Sequence, residues 1–173
     1  METRIGEGAA QGFITLSRSG DLSCKGCRYE GPVASLRPAI PALKSVNGRL
    51  SLELAALEIR KKWPTRAVGS AKLANVPLGA AGQPRGDGPV AAFEATLSAD
   101  PVPDNGLIEA TIRDAGGPLE LTARLSITPP GNFEFSGRAK ARPAAPAEIV
   151  NALAVLGPKG SDGSTALGLS GTF

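Results

Sequence analysis

The chain has 173 residues, with 22 glycines, 15 prolines, 4% aromatic residues and a formal net charge of +3. That length suits one domain or two small lobes, and the glycine and proline content fits many strands and turns. There is no histidine, which removes the commonest general base and metal ligand; the small charge, with no aromatics interleaved in a basic stripe, excludes a nucleic-acid signature.

Residues 1–11 are polar and glycine-containing and are expected to be a disordered lead-in. Residues 12–17 read as a strand, Arg18 to Asp21 as a turn, and residues 22–29 as the partner of a hairpin. Pro38 and Pro41 forbid a regular helix through 33–43. A broken turn or one-turn helix is expected there, seated by Leu36, Ile40 and Leu43.

Residues 48–60 alternate, with Leu50, Leu52 and Leu54 on one face and Arg49, Ser51 and Glu53 on the other. The phase changes at Ala55-Ala56, after which Leu57 and Ile59 share a face, and such a slip predicts a bulge or bend. Residues 65–73 are the return strand, and 79–89 a loop of glycine, proline and charge. Four strands follow at 90–98, 106–114, 119–127 and 132–142, separated by short turn-forming segments that require antiparallel neighbours. Leu119, Leu121, Ala123, Leu125 and Ile127 oppose Glu120, Thr122, Arg124 and Ser126 across one of them. One face is therefore apolar and one polar.

A short helix is predicted from Ala147, after Pro143 and Pro146 and with Glu148 in its first turn. Ile149, Leu153 and Leu156 share its apolar face; Gly157 is expected in a left-handed C-terminal conformation, with Pro158 as the stop. Asp162-Gly163 turns the chain into a closing strand at 165–173. The predicted fold is mainly β: a strongly twisted, curved antiparallel meander whose C-terminal helix covers part of the apolar face. The slip at Ala55 and the composition shift at Gly79 suggest two sheet segments, 12–78 and 90–173, within one unit spanning 12–173.

Cys24-Lys25-Gly26-Cys27 lacks the βαβ context of a redox motif and the further ligands of a zinc site, and we read it as a local disulfide of an oxidising compartment. Trp63, after Lys61-Lys62, is either an interface anchor or a turn tryptophan folded over a sheet edge; we favour the second. Arg138, Lys140 and Arg142 form a row of cations able to steer an acidic partner. Arg113, Arg124 and Glu134 share their face, so a mixed charged surface is expected instead of a basic patch. No pair of carboxylates is spaced as an acid/base couple, and neither catalytic residue, metal nor cofactor is predicted.

The ending resembles that of the type II secretion system protein N family. The resemblance lies in Gly137-Arg138, the prolines from Pro143 to Pro146, the helix from Ile149 to Gly157, the Asp162-Gly163 turn, and Leu167-Gly168-Leu169-Ser170-Gly171. Upstream, Leu36-Arg37-Pro38 to Leu43 and Val46-Asn47-Gly48-Arg49-Leu50 are similar to the same family, so the likeness runs from about Gly12 to Phe173. The family's single membrane-spanning helix has no counterpart, since no stretch of about twenty apolar residues occurs. The resemblance implies a non-enzymatic periplasmic domain of an inner-membrane protein. Its partners would be the secretin's periplasmic domains and the inner-membrane platform proteins of type II secretion, with an edge strand able to accept a partner strand. The alternative is a curved β groove that binds or carries lipid or another hydrophobic ligand.

Overall fold

A computed structural model of the chain describes residues 2–5, 7–38, 43–44, 46–78 and 88–172. Its strands are β1 (Glu2–Ile5), β2 (Gly8–Leu16), β3 (Leu22–Pro32), β4 (Arg49–Arg60), β5 (Trp63–Pro77), β6 (Val90–Ala99), β7 (Ile108–Gly116), β8 (Leu119–Thr128), β9 (Asn132–Ala141) and β10 (Thr165–Thr172). A 3₁₀ turn lies at Val33–Leu36, and the helix α1 at Ala147–Leu156. The ten strands form one open antiparallel sheet in chain order. The fold is mainly β, as the period-two alternation and short turns predict. The stretches on either side of 79–87 join directly, because β5 pairs with β6.

The registers carry the alternation of single strands into rows across the sheet. Leu54, Gly69, Leu97, Ala110, Leu125, Phe135 and Leu169 lie successively opposite one another from β4 to β10. So do Leu52, Ala71, Ala95, Ile112, Ala123, Gly137 and Leu167. Between them runs a polar row of Glu53, Ser70, Thr96, Thr111, Arg124 and Ser136 on the other face. A one-residue slip anywhere would exchange the faces, so burial of one face holds the register.

The predicted slip in β4 is a bulge. Leu54 faces Gly69 and Ala56 faces Val68, leaving Ala55 outside the ladder. The irregularity extends over neighbouring strands. Gly26, across from Ala55, takes φ +59°, and the β2–β3 register shifts at Gly12. The cysteines lie inside β3, in the strand predicted over residues 22–29. Residues three apart on a regular strand face opposite ways, but the bulge turns Cys24 toward the row of Leu57 and Cys27 toward that of Leu54.

The best-buried cluster comprises Leu121, Ala123, Ala139 and Leu153, flanked by Phe93, Ile112, Leu119, Phe135, Ala141 and Leu167. Helix α1 lies over this part of the apolar face. Burying a leucine such as Leu153 contributes about 1.5–3 kcal/mol, which holds in place a helix too short to persist alone.

Three expectations need correction. Residues 2–5 and 8–11 are paired strand and not a disordered lead-in; backbone ladder bonds order a segment whose side-chain pattern is weak. Leu156 is exposed, because Ile149 and Leu153 alone complete the contact and the last turn projects past it. Gly157 is extended, with φ 161° and ψ 175°, and not left-handed; the chain straightens toward Pro158 without a glycine-specific cap. The turn predicted in 33–43 is the 3₁₀ segment, with Val33 buried. Arg37 ties the return of this connection by donating to the Val46 carbonyl (2.9 Å) and to Asn47 Oδ1 (2.6 Å). The seat assigned to Ile40, and most of the 79–89 loop, lie outside the described residues.

Candidate interaction surface

The cations of β8 and β9 are each placed by a short turn that sets the register of their strand. On the polar face Arg124 lies opposite Thr111 on one side and Ser136 on the other, and its guanidinium reaches Glu109 at 3.4 Å. Arg138 pairs with Asp162 in the loop before β10, at 3.6 Å. Lys140 lies opposite Glu120 in the ladder.

Arg142 joins three strands at their common end. Its guanidinium donates to Asp114 of β7 and approaches Glu120 of β8 at 3.6 Å. The Asp114 carboxylate also accepts the Leu121 N–H at 2.9 Å. Burial pushes the Asp114 pKa up, but the Leu121 N–H and the Arg142 guanidinium outweigh it and hold the carboxyl below its ordinary value. Asp162 is also depressed, chiefly by the Ser164 hydroxyl and backbone N–H, with a further contribution from Arg138. The row of cations is thus part of a mixed surface, in which Arg138 and Arg142 form ion pairs and Lys140 lies opposite Glu120.

Between the end of β9 and α1 lies a solvent-open pocket of about 260 Å³. Its lining includes Lys140, Arg142 and Lys159 over Ala141, Val150 and Leu153.

Trp63 stands apart from this cluster. It begins β5, while Arg142 follows the end of β9, at the opposite end of the strands. Trp63 is half-buried, and its indole Nε1–H donates to the Gly106 carbonyl at 2.9 Å, joining the β4–β5 turn to the β6–β7 connection. Nearby, Arg66 bridges Asp100 at 2.6 Å and Glu58 at 3.9 Å. The structure therefore gathers Arg138, Lys140 and Arg142 into one region, keeps Arg124 on the same face, and leaves Trp63 elsewhere. Cys24 and Cys27 pair as a disulfide on the apolar face, with Cα atoms 6.0 Å apart.

Sequence reasoning missed the exposed apolar residues of the edges. Phe13, Ile14 and Leu16 of β2 are 79%, 69% and 70% exposed, and Leu169 of β10 is 63% exposed. Their alternation looks like that of any strand; only the strand order reveals that they lie at or near a margin. Among the described residues, no three His, Cys, Asp or Glu side chains cluster as metal ligands, and no helix is long and apolar enough to cross a membrane.

A family model described as type II secretion system (T2SS), protein N matches residues 1–168. No curated protein and no solved structure matches the chain.

Proposed function

The chain belongs to the type II secretion system protein N family, and on that premise we propose that it is a non-catalytic periplasmic scaffold of the secretion machinery. In this reading it contacts the secretin's periplasmic domains and the inner-membrane platform proteins. The observation that carries the proposal is the single sheet of ten strands with a polar face of interspersed opposite charges. Such a face gives orientation and electrostatic selectivity to a docking partner without large affinity from any one pair. Arg124, Arg138 and Lys140 are the candidate contacts on that face, while Arg142 and Trp63 support it from its two ends. The Cys24–Cys27 disulfide belongs to the same reading, because such bonds persist in an oxidising compartment.

The test is a pull-down of the chain with secretin periplasmic domains and, separately, with platform proteins. Retention of either, weakened by salt and by Arg124→Glu, is expected; retention of neither overturns the scaffold reading.

A second reading rests on the uncovered part of the apolar face. Helix α1 contacts β9 and β10, while Leu52, Leu54 and Leu97, farther along the apolar face, are only half-buried. An open apolar strip of this kind suits an acyl chain. Native mass spectrometry of the purified protein separates the two: a lipid adduct lost on Leu54→Glu supports the groove, and bare protein supports the scaffold.

A further inference from the structure

We propose that β10 is a self-pairing edge, through which two copies of this chain join into one continuous sheet. Among the described residues nothing pairs with the outer side of β10 except Lys159, which bridges to Thr165 at its start. The free stretch is Ala166-Leu167-Gly168-Leu169-Ser170-Gly171-Thr172. It contains no charge and no proline, and its register with β9 is unbroken. Natural edge strands are normally blunted by one of these devices, and an edge with none of them is a template for another strand.

The occupant follows from the symmetry of the stretch. Antiparallel pairing of two copies about Leu169 sets Leu167 opposite Gly171, Gly168 opposite Ser170, Ala166 opposite Thr172, and Leu169 opposite itself. Each larger side chain meets a small one except at the centre, where two leucines meet on the apolar face. No line of the pairing brings like charges together. A two-fold axis normal to the sheet keeps both apolar faces on one side. The row Leu125–Phe135–Leu169 then continues into the same row of the second copy. Leu169, 63% exposed in the single chain, becomes covered. Beside it, Gly171 lies against the Phe133 ring, where a Cβ would approach Cε1 to 2.9 Å. The ring thus fills the position a side chain at 171 would take, and in the pairing the second copy's Leu167 comes to lie beside that ring.

The opposite margin of the sheet is less suited to this role. There β1 already covers Gly8 to Gln11 of β2, and the register shift at Gly12 bends the remainder. A bulge is itself a device that discourages edge pairing.

Sedimentation equilibrium of the full chain over a concentration series tests the proposal. Wild type is expected to rise from the mass of one chain to that of two. Leu169→Lys and, on the opposite face of the same strand, Ser170→Lys are each expected to hold the mass at one chain. Ser170 is exposed and makes no core contact, so its variant tests the edge even if Leu169→Lys disturbs folding; circular dichroism checks both. Leu169→Cys should give an oxidised cross-linked dimer on a non-reducing gel, because the two positions face each other. A single-chain mass at every concentration overturns the proposal, as does a dimer that survives both lysine variants or forms no cross-link at position 169.

Discussion

Arg142 illustrates how a charge can look free in a sequence and be engaged in a fold. Asp114 lies just before the Gly116-Gly117 turn and accepts the Leu121 N–H from the strand beyond it. Its partner was not readable, because Arg142 lies 28 residues away, and only the registers β7–β8 and β8–β9 bring them together. Arg142→Ala is expected to lower unfolding stability by about 1 kcal/mol, after allowance for partial exposure. Asp114→Ala, which also strands the Leu121 N–H, should cost about 2 kcal/mol; urea denaturation at neutral pH measures both. The pH dependence follows from the depressed Asp114 pKa. Stability from this carboxylate is complete above its unfolded value, ~3.9, and is lost as pH falls through the lower folded value. The gap between wild type and Asp114→Asn should therefore close in acid, and a gap that widens there contradicts the assignment. Trp63→Phe removes one N–H donor to Gly106 and should cost about 1 kcal/mol in the same assay.

Among the elements, the β4–β5 hairpin carries local strain. Lys61 and Lys62 have φ of +50° and +67°, the left-handed conformation that two-residue hairpins require and that Asn-Gly satisfies best. Lysine there costs roughly 1–2 kcal/mol per residue, so Lys61→Asn with Lys62→Gly should raise stability by about 1–2 kcal/mol, read as a higher Tm. In α1 the contrast is between Leu153 and Leu156. Leu153→Ala should destabilise by about 2–3 kcal/mol, whereas Leu156→Ala should fall within about 0.5 kcal/mol of wild type. The strands from β4 to β10 were legible because period-two alternation and proline- or glycine-rich turns agree along that part of the chain. The phase slip at Ala55 was legible for the same reason: a bulge leaves a visible fault in the alternation. The exposure of Leu156 was not, because helical spacing identifies a shared face without saying how far the supporting sheet extends beneath it.

Across the whole molecule, the order of strands could be inferred from the short turns, while the pairing of β5 with β6 across residues 79–87 and the inclusion of residues 2–5 could not. Both depend on backbone bonding that leaves little trace in side chains. The uneven distribution of burial predicts uneven stability. The well-buried cluster is confined to β8, β9 and α1, so amide hydrogen exchange should be slowest in β8 and β9 and fastest in β1 and β2; uniform protection would contradict it. The strictly sequential strand order also has a mechanical consequence. The outermost strands are nine inter-strand steps apart, roughly 43 Å at the usual spacing, so β1 and β10 lie on opposite flanks of the sheet. Tension applied between them would detach one hairpin arm at a time, like opening a zip, without shearing many ladders together. Such a body would hold attachments on its flanks at a set distance under compression, yet yield gradually when pulled.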